Sequence, residues 1–188
     1  MSDAAPNHAA PAEPTPQSVV LIALPELTPA VGALRLAHDP AAADHIPPHI
    51  TLNFPFVPPH ELDEPTRRAL TEIAAETNTF YVEFPEVEYF TRDDEYIVHL
   101  RAEPADVLQR LAVRVHERWP QYPLFGGMVA IEDYVPHLTI GYGDAAFLEQ
   151  VRHELGPQLP LTTRATGLAV LTGVVGERWL ARCVAPFR

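Results

Sequence analysis

Residues 48–54 read PHITLNF and residues 136–142 read PHLTIGY, two copies of the pattern Pro-His-aliphatic-Thr-aliphatic-x-aromatic set 88 positions apart. The reading of this pair decides the fold. Side chains alternate across a β-strand, so His49 and Thr51 share one face while Ile50 and Leu52 occupy the other. His137 and Thr139 follow the same rule. Each strand has a structural face that can join a core and a chemical face carrying an imidazole and a hydroxyl. Proline is tolerated as the first residue of a strand, where it removes a donor and fixes the approach of the chain. A single histidine in a strand is ordinarily structural; the same seven-position pattern at half-chain spacing is evidence for two related halves and a functional pair.

Outward from these motifs, SVVLIAL (18–24) reads as a buried strand, and TPAVGALRLAH (28–38) as a helix with Thr28 at its start and Pro29 in its first turn. A second helix is expected over 64–77. Antiparallel strands follow around 80–90 and 95–102. Leu108, Leu111, Ala112 and Val115 at i, i+3, i+4 and i+7 mark a helix ending before Trp119. The second motif lies in a strand over 134–143, followed by a helix capped by Asp144. The last third alternates as two strands joined near Val174–Glu177. Helices and strands alternate without a dinucleotide glycine-rich turn, placing the chain in the α/β or α+β class with substantial antiparallel pairing. Residues 1–17, MSDAAPNHAAPAEPTPQ, have almost nothing to bury and read as a disordered tail ahead of a single domain over 18–188.

Composition narrows the chemistry. The 188 residues include 25 acidic and 13 basic side chains, for a net charge of −12, which opposes non-specific binding to a phosphate backbone. All 13 basic residues are arginine. Without lysine, Schiff-base catalysis, a P-loop and nucleotidyl transfer through a lysine adduct are excluded. No apolar run approaches a membrane span. One cysteine, Cys183, and no evident signal segment lead to the expectation of a cytoplasmic protein. His45 and His49 have i, i+4 spacing, but Pro47 and Pro48 forbid the helix a zinc site of that kind needs, so no metal is expected. His99 reads as a satisfied structural histidine. Arg92, Arg178 and Arg182 are candidate phosphate contacts or solvated surface, and Trp179 and Tyr96 core or rim.

Two histidines facing each other across a cleft, one neutral and one protonated, suit acid/base cleavage of a phosphodiester, with the threonine hydroxyls bonding the non-bridging oxygens. Neither metal nor cofactor is required.

The doubled H-x-T motif resembles that of the two-histidine phosphoesterase superfamily, which includes the 2′-5′ RNA ligases and RNA 2′,3′-cyclic phosphodiesterases. The resemblance implies a bilobal α+β fold with two pseudo-symmetric lobes, antiparallel sheets lining a central groove and helices outside. It implies His49 and His137 as the acid/base pair and Thr51 and Thr139 as phosphate-binding hydroxyls. Phe54 and Tyr142, at equal offsets, would flank a base or sugar, although regular strands put both on the face opposite the histidines. Members acting on RNA often carry a basic residue just after the second motif, where this chain has Gly141 and Tyr142. With the acidic charge, this points to a small nucleotide or short RNA with a cyclic phosphate end as substrate, opened to a 2′-phosphate by a monomer. A non-catalytic binder of such phosphates, and a ligase running the ring opening in reverse, are the alternatives.

Overall fold

The computed structural model describes residues 15–188; the tail reading for residues 1–14 lies outside them, and Gln17 already belongs to a strand. In chain order the elements are β1 (Gln17–Ala23), α1 (Thr28–His38), α2 (Pro40–Ala43), β2 (His49–Asn53), α3 (Glu64–Ala75), β3 (Phe80–Phe84), β4 (Val87–Arg92), β5 (Glu95–Arg101), α4 (Ala105–Arg118), β6 (His137–Gly143), α5 (Ala145–Leu155), β7 (Leu161–Ala165), β8 (Gly167–Gly173) and β9 (Leu180–Pro186).

Two repeats account for this list. β1-α1-β2-α3-β3-β4 corresponds to β5-α4-β6-α5-β7-β8, with α2 inserted and β9 appended. The sheets obey the same exchange: one has the order β2-β1-β8-β9, the other β4-β5-β6, and β3 pairs with β7 between them. All pairings are antiparallel. The last strand of each repeat completes the other repeat's sheet. The crossover helices are exchanged as well, since α1 packs on β6 and α4 on β2. The lobes are therefore interlocked: each helix buries its apolar stripe against the strand that carries the other motif.

The sequence pattern explains the layers. Ile50, Leu52, Leu138 and Ile140 enter one core together with Leu108, Leu111, Ala112 and Val115 of α4. β1 and β8 are buried at five consecutive positions each, because the face opposite that core is covered by a smaller cluster of Val19, Leu21, Ile46, Ala169, Leu171 and Trp179. A central strand covered on both faces reads as a continuous apolar run. Asp63 and Asp144 accept the first free amides of α3 and α5 at 3.0 Å, as N-cap carboxylates do.

Three expectations change. The strand stretches FYVEF and VEYF expected around 80–90 fall in different sheets: β3 leaves for the two-stranded sheet and only β4 pairs with β5. The C-terminal third holds three strands, because Thr166 separates β7 from β8 and sends them to different sheets. The second motif strand begins at His137, the preceding residues forming a 3₁₀ turn over Ile131–Asp133 and an extended lead.

Candidate active site

Both motif strands are entered in the same way. Pro48 and Pro136 cannot donate, but their carbonyls accept the amides of Leu24 (2.7 Å) and Ala102 (3.1 Å), so each histidine starts its strand already anchored. The His49 Nδ1–H donates to the Pro47 carbonyl at 2.8 Å and the His137 Nδ1–H to the Val135 carbonyl at 2.7 Å. A carbonyl only accepts, so Nδ1 must carry the hydrogen and Nε2 of the neutral ring is left as the acceptor. No protein hydrogen bond engages the hydroxyls of Thr51 and Thr139 among the described residues.

Each strand then breaks register three residues after its histidine. Val20 pairs with Asn53 and Leu21 with Thr51, leaving Leu52 as the extra residue; Val98 pairs with Gly141 and His99 with Thr139, leaving Ile140 extra. A bulge reverses the alternation beyond it. Phe54 and Tyr142 therefore sit on the histidine face, which corrects the regular-strand expectation. Phe54 lies against Trp179, with ring centroids 6.1 Å apart, and Arg92 lies over Tyr142 at 5.6 Å.

At each bulge the threonine carbonyl is taken by the other repeat. The Tyr134 hydroxyl donates to the Thr51 carbonyl at 2.7 Å, and Arg35 Nε donates to the Thr139 carbonyl at 3.1 Å. The carbonyls three residues before each histidine are held by the crossover helices: Gln109 Nε2 reaches Tyr134 at 3.1 Å, and an Arg35 terminal nitrogen reaches Ile46 at 3.4 Å. These reciprocal bonds tie one motif to the other.

The site is built to keep its histidines neutral. Burial lowers His49 from 6.5 to about 3, with the charge of Arg35 and then that of His137 acting in the same sense. Burial lowers His137 to about 4, with His99 adding to it. A proton on His137 thus weighs against a proton on His49.

His99 does not fit the reading of a satisfied structural residue. It is fully buried and repeats the motif geometry, its Nδ1–H donating to the Ile97 carbonyl at 3.1 Å, but its Nε2 has no hydrogen-bond partner. Its ring stacks on Phe90 at 4.1 Å and meets His137 edge-on at 5.0 Å; Glu88 is the nearest carboxylate, at 3.7 Å. Burial lowers its pKa too. Arg101 stands opposite His137 in the register and is surrounded by Glu86, Glu88 and Glu103. Sequence reasoning missed Phe90, Arg101, Tyr134 and Arg35. Of these, only Tyr134 gave a signal, its position three residues before His137.

Of the other candidates, Arg92 is the one that reaches this wall. Arg178 is exposed, and Arg182 Nε donates to the Thr172 hydroxyl at 2.8 Å. Trp179 is buried in the smaller apolar cluster and Tyr96 packs beside Tyr89, at 4.6 Å. His45 occupies a turn at φ 65°. Among the described residues, no group of three or more His, Cys, Asp or Glu could hold a metal ion, and no helix is long and apolar enough to cross a membrane.

Known proteins resemble this chain in sequence and in fold. Curated relatives named "Putative phosphoesterase" include one from Geobacillus kaustophilus, 38% identical over 96 residues, and one from Geobacillus thermodenitrificans, 37% identical over 97. Each match covers 51% of this chain and 51% of the relative, so the chain spans about half the length of the curated relatives it matches. Among solved structures, E. coli LigT complexed with 3′-AMP aligns with a TM-score of 0.58 at 18% identity, covering 92% of this chain and 98% of that one. Kluyveromyces marxianus Usb1 aligns at 0.55 and 16% identity, covering 94% and 100%. These likenesses show the bilobal fold. The model of the 2′-5′ RNA ligase superfamily matches residues 23–177, both H-x-T motifs included, and the chain belongs to that superfamily of two-histidine phosphoesterases.

Proposed function

We propose that the protein is a metal-independent phosphodiesterase that opens a 2′,3′-cyclic phosphate on a nucleotide or short RNA end and leaves a 2′-phosphate. The observation that carries this reading is the doubled arrangement of an Nδ1-anchored imidazole with a free Nε2 beside an unpartnered threonine hydroxyl. His49, on which the charge of Arg35 disfavours a proton, takes the proton from water. The water oxygen bonds to phosphorus, the bond from phosphorus to O3′ breaks, and His137 gives its proton to the departing O3′. Thr51 and Thr139 donate to the non-bridging oxygens as their charge grows. Phe54 and Tyr142 flank the base or sugar. That LigT is complexed with 3′-AMP and ATP, and Usb1 with uridine monophosphate, supports a small nucleotide ligand.

A panel of 2′,3′-cyclic mononucleotides, cyclic-ended oligonucleotides and ADP-ribose cyclic phosphate, assayed in EDTA, tests the proposal. Turnover to 2′-phosphates is expected, and inhibition by the chelator or binding without product would refute it. The family description favours a second reading, ligation by reversal of ring opening. A 2′-5′ joined product with excess 5′-hydroxyl ends would establish that activity.

A further inference from the structure

Arg35 is 2% exposed, an unusual place for a guanidinium. Nε and a terminal nitrogen both donate to Asp39 Oδ2, at 3.1 and 2.7 Å. Nε also reaches the Thr139 carbonyl, and the other terminal nitrogen reaches the Ile46 carbonyl. Asp39 caps α2 through the amide of Ala41 at 3.0 Å, so one cluster holds the lead into the first motif and the bulge of the second.

Packing alone does not call for this charge, since an apolar side chain of similar volume would fill the space without the desolvation cost of a buried ion pair. The other repeat supplies an internal control. On α4, the neutral Gln109 holds the carbonyl corresponding to Ile46. An amide is enough for the architecture, yet the first repeat carries a cation.

We propose that Arg35 is a positioning residue of the site, fixing the two motif strands relative to each other and placing a buried permanent positive charge beside His49, whereas Arg101, opposite His137, is half-exposed and offset by three glutamates, so that two symmetric histidines acquire unequal roles. The inference rests on His49 and His137 being the reacting pair. The charged and titratable groups acting on His49 are Arg35 from α1 and His137 from β6. Those acting on Asp39 are Arg35 and Asp44, and burial raises the Asp39 carboxyl, which weakens it as a counter-charge.

The test is imidazole NMR of the full chain in saturating inorganic phosphate, with kcat and KM, for the wild type, R35Q and R35K. In R35Q the His49 titration midpoint should rise by about one unit, the usual effect of removing a neighbouring charge. In R35K it should stay in place, because the charge remains. Both variants should lose kcat about tenfold or more with KM little changed, since an ammonium cannot reproduce the fork of contacts. R35Q with wild-type kcat and an unmoved His49 midpoint would overturn the proposal. Should R35Q not fold, D39N, which strips Arg35 of its counter-charge, should lower the His49 midpoint and kcat; wild-type values for both would also overturn it. A wild type inert toward cyclic phosphates, with the NMR shifts as expected, would refute the proposed function and with it the unequal catalytic roles, leaving only the action of the Arg35 charge on His49.

Discussion

The proposed role of His137 as general acid makes its proton depend on the bound phosphate. His137 sits at about 4, so protonating it at neutral pH takes three units, about 4 kcal/mol at 1.36 kcal/mol each. A phosphate charge about 4 Å away returns about 4 kcal/mol at the effective dielectric of a partly buried site. The two figures match, so binding one negative charge should bring His137 close to half-protonated at neutral pH. The perturbation is addition of a 2′-deoxy dinucleotide, whose diester carries one charge that does not titrate near neutrality and has no 2′-hydroxyl to react. Calorimetry in buffers of different ionisation enthalpy should show uptake of about half a proton at pH 7, approaching one about a unit lower. His137→Ala should abolish the uptake and His49→Ala should retain it. Clear binding with no buffer-dependent heat would refute the reasoning.

Other outcomes follow from the same geometry. His49→Ala and His137→Ala should each lower kcat by about 10²-fold or more, and the double variant little further, because residues acting as a unit are not additive; initial rates check this. Thr51→Val and Thr139→Val should each cost about ten- to a hundredfold in kcat, the worth of one hydrogen bond to a charged group. At Gly141 a Cβ would lie 2.4 Å from the His38 Cβ and 2.9 Å from its backbone, so Gly141→Ala must displace α1; denaturant melts should show a loss of about 1–3 kcal/mol, with kcat falling as Arg35 moves. His99 is held neutral when folded but takes a proton near 6.5 when unfolded, so its contribution is full above that pH and lost progressively as pH falls below it. A His99→Phe variant should therefore lose less Tm on acidification than the wild type. Protonation of Asp39, raised by burial, works in the opposite sense in both proteins.

The motif pair was legible in the sequence because its information is local: alternation fixes which of His49, Ile50, Thr51 and Leu52 share a face. The bulges after Thr51 and Thr139 were not, since an extra residue is defined only against its partner strand, and the faces of Phe54 and Tyr142 depend on it. His99 was visible as a residue but not as a neighbour of His137, a relation set by the register of β5 on β6. The exchange of α1 and α4 between lobes is a matter of tertiary packing, which hid Arg35 and Gln109 among ordinary helix positions. The break at Thr166 was not legible, because a single residue separates the alternating β7 from the continuously buried β8 and the two strands differ in their partners.

The account turns on one phosphorus centre served by both halves of the chain. A crystal structure with bound orthovanadate measures this directly. Nε2 of His49 and Nε2 of His137 should each lie about 2.6–3.2 Å from oxygens of a single vanadium, with the Thr51 and Thr139 hydroxyls on its remaining oxygens. Vanadate held by one ring alone, or seated away from both, would contradict it.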